Sequence, residues 1–77
     1  MRAITDIGRK YHRQWVERVF EPNLESLRGA RREQLVVQLV VATDVLSWKL
    51  MRLDMKLSRS QTEASIVATI DALTEGR

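Results

Sequence analysis

Apolar positions are densest between Arg31 and Asp54, in the stretch RREQLVVQLVVATDVLSWKLMRLD, and no Gly or Pro interrupts it. The pattern predicts one helix over Arg31–Asp54, about 36 Å long at 1.5 Å per residue. Its apolar residues do not fit on one stripe. Leu35, Leu39, Ala42, Leu46, Leu50 and Leu53 form one set at helical spacing. Val37, Val41, Val45, Trp48 and Met51 form a second, and Val36 and Val40 a third. A helix that is apolar nearly all round must be covered on several sides. The β-branched run LVVQLVV also suits a buried strand, but the apolar character continues well past strand length with no turn signal before Asp54. Gln38, Thr43, Asp44 and Lys49 argue against a membrane span, which needs about 20 nearly uncharged residues.

The flanking pattern predicts two more helices and a turn. Ile4, Ile7, Tyr11, Trp15 and Val19, with Phe20 beside Val19, recur at spacings of three and four, giving a helix over Ile4–Phe20. Thr5 or Asp6 is a candidate cap for it, Gly8 weakens its first turn, and Glu17 can pair with Arg13 one turn back. Pro22 disfavours a helical residue before it and opens a short helical turn over Pro22–Leu27, whose Leu24 and Leu27 lie over the core. Gly29 suits a left-handed stop. Ser58 with Gln61 three residues on has the form of a capping box, so the last helix begins at Ser58 or Arg59 and is ended by Gly76. Val67, Ile70 and Leu73 make one ridge on it, beside a shallow track of Ala64, Ala68 and Ala72. The expected fold is all-α: three main helices and a short helical turn in a single domain spanning residues 1–77.

Size sharpens the picture. A chain of 77 residues buries a modest fraction of its surface and is marginal alone. It has no Cys, which removes disulfides and thiolate metal sites, and a single His, which cannot build a His-rich site. Association is the support that remains, in agreement with the over-apolar middle stretch. There is no continuous apolar core at the N-terminus to act as a secretory signal, so a cytoplasmic location is expected. The net charge of +3 comes from 13 basic and 10 acidic residues. Small clusters at Arg9, Lys10, Arg13 and at Arg28, Arg31, Arg32 read as solvated faces. They lack the dense stripe of a nucleic-acid reader, so neither nucleic acid nor membrane is expected among the partners.

Catalytic signatures are missing from the sequence. Gly8, Gly29 and Gly76 are isolated, Ser47, Ser58, Ser60 and Ser65 have no evident base, and no paired carboxylates stand out. His12 reads as a rim histidine. No catalytic residue, cofactor or metal site is assigned. Two features carry a sharper reading beside a plain one. Asp44 lies within an apolar stretch, one turn from Trp48. It either faces solvent, pairs with an arginine such as Arg18, or lines a ligand cavity with Trp48. Tyr11, Trp15 and Phe20 form an aromatic group that reads first as core and second as a pocket wall.

The order of residues is also familiar. Trp15-Val16-Glu17-Arg18-Val19-Phe20 is followed by Pro22 and Leu24. Ala42-Thr43-Asp44-Val45, Trp48-Lys49-Leu50 and Arg52-Leu53-Asp54 come next, then Leu57-Ser58-Arg59-Ser60-Gln61-Thr62-Glu63-Ala64 leading into a helix. Over roughly residues 10 to 75 this resembles the C-terminal part of tetracycline-repressor-like (TetR family) transcriptional regulators. The resemblance implies a homodimer whose last two long helices pair with their mates in an intermolecular four-helix bundle. It also implies a small apolar or amphipathic effector in the full-length protein. Carried onto this chain, it implies a dimer interface at Leu39, Leu46, Leu50, Leu53, Val67, Ile70 and Leu73, and a ligand pocket at Trp15, Asp44 and Trp48.

Members of that family are much longer and carry a helix-turn-helix that this sequence lacks. The expectation is therefore a dimerisation and effector-domain segment that does not read DNA by itself. Two alternatives stay open: a standalone small helical protein that pairs with a full-length regulator, and a small dimeric helical enzyme.

Overall fold

The computed structural model describes the backbone of residues 2–75 and the side chains of residues 8–75. Every described element is helical: α1 (Arg2–Val19), α2 (Glu21–Leu24), α3 (Gly29–Ala42), α4 (Val45–Lys49), a π-helical turn (Leu50–Asp54) and α5 (Arg59–Thr74). The all-α class follows, and the run LVVQLVV is helical rather than a strand. The chain divides into two compact units between Val40 and Val41.

In the first unit, α1 begins two residues earlier than the apolar spacing implies, so Thr5 and Asp6 lie inside the helix and do not cap its start. Its end is where Pro22 requires it. The Phe20 amide still donates to the Val16 carbonyl at 2.9 Å, and then the Phe20 carbonyl accepts from both Asn23 (2.9 Å) and Leu24 (3.1 Å). Pro22 has no amide to lose at this turn, which is why the short α2 forms around it. Gly29 takes the left-handed conformation, φ +57°, although it opens α3 rather than capping the helix before it. A Cβ there would meet nothing within 4 Å, so backbone conformation and not space selects glycine. Val16, Leu24, Leu35, Val36 and Leu39 are fully buried and form the core. Leu27 is half-buried, in keeping with its place over that core. One polar atom is misplaced: Gln38 Oε1 is buried and accepts no hydrogen bond.

The second unit corrects the long helix. The expected rod from Arg31 to Asp54 is broken at Thr43–Asp44. Asp44 is extended (φ −73°, ψ 142°), and its carboxylate accepts from the Leu46 amide at 2.7 Å, the geometry of an N-cap. Its carbonyl accepts from Ser47 (3.1 Å) and Trp48 (3.3 Å), starting the new helix. The Val41 carbonyl accepts from the Asp44 amide at 3.3 Å and from Ser47 Oγ at 2.6 Å, so it stays bonded across the break. Short polar side chains that bond to nearby backbone compete with helix continuation. Here two of them three residues apart, Asp44 and Ser47, outweigh the apolar continuity.

The far end of this segment is also irregular. The Met55 amide donates to Leu50, five residues back, and the Leu57 amide to Met51, six residues back, each at 2.9 Å. Lys56 sits at φ 58°, a left-handed position that costs a side-chain-bearing residue about 1 kcal/mol or more. Arg52 Nη1 donates to the Leu57 carbonyl at 3.1 Å and helps hold the turn. The capping box then forms as its residues require: Ser58 Oγ accepts from the Gln61 amide (3.1 Å) and Gln61 Oε1 from the Ser58 amide (2.9 Å). Thr62 is fully buried with its hydroxyl donating to the Ser58 carbonyl at 2.8 Å. Gly76, expected to end α5, lies outside the described residues.

Candidate interaction surface

The second unit leaves a row of large aliphatic side chains open. Leu46, Leu50 and Leu53, at positions i, i+4 and i+7 along α4 and the π-helical turn, are 58, 51 and 65 % exposed. Val45, Met55 and, on α5, Val67 are exposed as well. On α5 the half-buried positions are Ile66, Ile70, Leu73 and Thr74, beside buried Thr62. Thr62, Ile66, Ile70 and Leu73 recur at spacings of four, four and three, which puts them on one helical face. Val67, three residues before Ile70 at the edge of that face, is 57 % exposed, while Ile70 and Leu73 are half-buried. Ala64, Ala68 and Ala72 are exposed. Leaving one half-exposed leucine in water forgoes roughly 1 kcal/mol of burial.

Of the residues expected at a dimer interface, Leu46, Leu50, Leu53 and Val67 are thus accessible, and Ile70 and Leu73 are half covered. Leu39 is fully buried within the single chain. Leu39 and Leu46 belong to different helices, so the apolar set that joined them in the sequence is not one continuous stripe.

The residues expected at a ligand pocket divide between the units. Trp15 belongs to the first, where its ring lies 6.1 Å from that of His12 and 6.4 Å, edge-on, from that of Phe20. Asp44 and Trp48 belong to the second, one turn apart and joined by the Trp48 amide on the Asp44 carbonyl. The carboxylate acts there as a helix cap. The signal was in the sequence, as Asp44 with Ser47 three residues later. Among the described residues no group of three His, Cys, Asp or Glu side chains could hold a metal ion, and no single helix is long and apolar enough to cross a membrane.

The first unit presents a different surface. Arg13 and Glu33 make a bidentate pair between α1 and α3, at 2.8 and 2.6 Å. Glu17 lies 3.7 Å from Arg13 on its own helix, the pairing expected from the sequence, and also 3.4 Å from Arg32 of α3. The hydrogen bonds from Arg13 hold the Glu33 carboxyl below the usual glutamate value, with the charges of Arg13 and Arg32 adding to the effect. The same bond to Glu33, with the charges of Glu33 and Glu17, raises Arg13. These pairs turn the charged side of α1 and Val16 toward α3. Tyr11, Trp15 and Val19, expected to pack inward, are 65, 41 and 47 % exposed instead. Sequence spacing marked the apolar row correctly but could not say which way the ion pairs would rotate it.

No protein-family model matches the chain, and neither does any curated protein or solved structure.

Proposed function

We propose that this chain is the dimerisation and effector-domain segment of a TetR-like transcriptional regulator, working in the cytoplasm and without enzymatic activity. The likeness lies in the ordered residues from Trp15 to Ala64. The observation that carries the self-association half of the reading is the row Leu46, Leu50 and Leu53, more than half exposed on a short helical segment. Three leucines at one face, with Val45 beside them, are a surface that a second copy can cover. The intermolecular four-helix bundle is the arrangement proposed for it, built from α4 with its π-helical turn and from α5.

Sedimentation equilibrium at micromolar concentration tests the reading. A dimer is expected, and Leu50→Glu is expected to weaken it by a factor of 10 or more, because pairing would bury an unmatched carboxylate. Leu50 is the better position for this test than Ile70, whose half-buried side chain also serves its own chain. A well-folded monomer that stays a monomer at high concentration would overturn the proposal. Heterodimer formation with a full-length regulator, in place of self-pairing, would move it to the standalone-partner alternative.

A further inference from the structure

We infer that assembly is the folding step for the second unit: it is ordered in the dimer and opens in the monomer, while the first unit stays folded in both. The inference rests on the reading that a second copy covers the leucine row, and it adds a conformational switch to that reading. Burial is the first observation. Among the described residues the five fully buried aliphatic side chains, Val16, Leu24, Leu35, Val36 and Leu39, all lie in the first unit, and the second has only Thr62. The Thr62 hydroxyl is used on the Ser58 carbonyl one turn back, at 2.8 Å. Meanwhile Val45, Leu46, Leu50, Leu53, Met55 and Val67 are each more than half exposed. Apolar burial has to offset the entropy lost when backbone is ordered. Segments below about 40 residues usually need a metal, disulfides or assembly to manage it, and the second unit, Val41–Arg77, is of that size.

Local propensity does not make up the difference. α4 has 5 residues, and the π-helical turn that continues it has another 5. Isolated helices shorter than about 12–15 residues are marginal in water. α5 has 16 residues, but six of them, Thr62, Ile66, Val67, Thr69, Ile70 and Thr74, are β-branched, which lowers helix propensity. Its Arg59–Glu63 ion pair is exposed and joins two turns of the same helix. Lys56, at φ 58°, adds strain where the π-helical turn leads into α5. The first unit differs on each count: beside its core, the Arg13–Glu33 and Glu17–Arg32 pairs join one helix to another. A second copy laid on Leu46, Leu50 and Leu53 takes out of water the surface that the single chain leaves open, and so stabilises the ordered form by mass action. Order in this half of the chain then follows protein concentration.

The test is amide hydrogen exchange of the full chain, read by mass spectrometry on peptides from α3 and from α5. It is run above and below the dissociation constant that sedimentation equilibrium gives for the dimer. On dilution into monomer, protection of the α5 peptides should fall on the order of 100-fold, to near the unfolded rate, while the α3 peptide around Leu35 and Leu39 keeps its own. Leu50→Glu should show the same pattern without dilution. Leu50 is 51 % exposed in the single chain and glutamate is a good helix former, so the substitution does not by itself unfold the segment. A monomer, made either way, whose α5 stays as protected as α3 would overturn the inference and leave the dimer reading standing. Loss of protection in α3 together with α5 would overturn it as well, because the two units would then fold as one. A wild-type chain that sediments as a monomer at every concentration would overturn the dimer reading, and the inference with it.

Discussion

The two halves of this chain are built on different terms. Residues up to Val40 contain all five fully buried aliphatic side chains among those described, and ion pairs tie residues as far apart as Arg13 and Glu33. Among the described residues from Val41 onward the only fully buried side chain is Thr62, and the hydrogen bonds that shape the backbone span a few residues each: Asp44 to Leu46, Ser47 to Val41, Ser58 to Gln61. The first half is held by burial and by contacts between helices. The second is shaped by caps and turns, while Leu46, Leu50 and Leu53 face outward. A region organised by local hydrogen bonds can be well formed and still lack a core, because a cap fixes where a helix starts without covering any of its sides.

The sharpest way to break this comparison is at Leu35. Leu35→Ala should cost about 2–5 kcal/mol in chemical denaturation, the range for a large-to-small change in a packed interior. Leu53→Ala, at a mostly exposed position, should change the stability of the monomer by less than about 0.5 kcal/mol. Equal losses at the two positions would erase the distinction. Next in size is the cap. Asp44→Ala should destabilise by about 0.5–2 kcal/mol and lower helix content locally, read by amide hydrogen exchange at Leu46 and Ser47. Lys56→Gly should act in the opposite direction, with a gain of up to about 1 kcal/mol in thermal unfolding, because glycine relieves the left-handed strain.

The smallest effect concerns pH. Glu33 has a lowered value in the folded chain, so its contribution is complete above the ordinary glutamate range, near 4.3, and fades as pH falls through the lowered folded value. Glu33→Gln should remove that acid-side dependence and leave stability near neutrality slightly reduced, measured as the unfolding midpoint between pH 3 and pH 7. The pair is exposed, so the change should also shrink in high salt.

Much of the fold was legible along the chain, because its signals are local. Pro22 marks the end of α1, Gly29 adopts the conformation that only glycine takes without strain, and Ser58 with Gln61 marks the start of α5. Each acts within four residues, so its neighbours in sequence suffice to read it. The break at Asp44 was equally local, yet the long apolar run around it masked the cap. Of the expected site residues, Leu46, Leu50, Leu53 and Val67 could be picked out as apolar, but not as open to solvent. Leu39 could not be told from them, since Leu39 and Leu46 share one apolar periodicity until the helix is cut.

By itself the sequence determined that this chain is helical, where most of its helices begin and end, and that it carries more apolar surface than so few residues can hide. Those properties depend on backbone propensities, caps and composition, all of which act at short range or not through space at all. Only the tertiary structure decided which surfaces are inside. It buried Val16 and exposed Trp15, one residue away, on a helix that meets α3 through the Arg13–Glu33 and Glu17–Arg32 pairs. Rotation of a helix about its axis is set by partners distant in sequence, and no periodicity along a single segment contains that information.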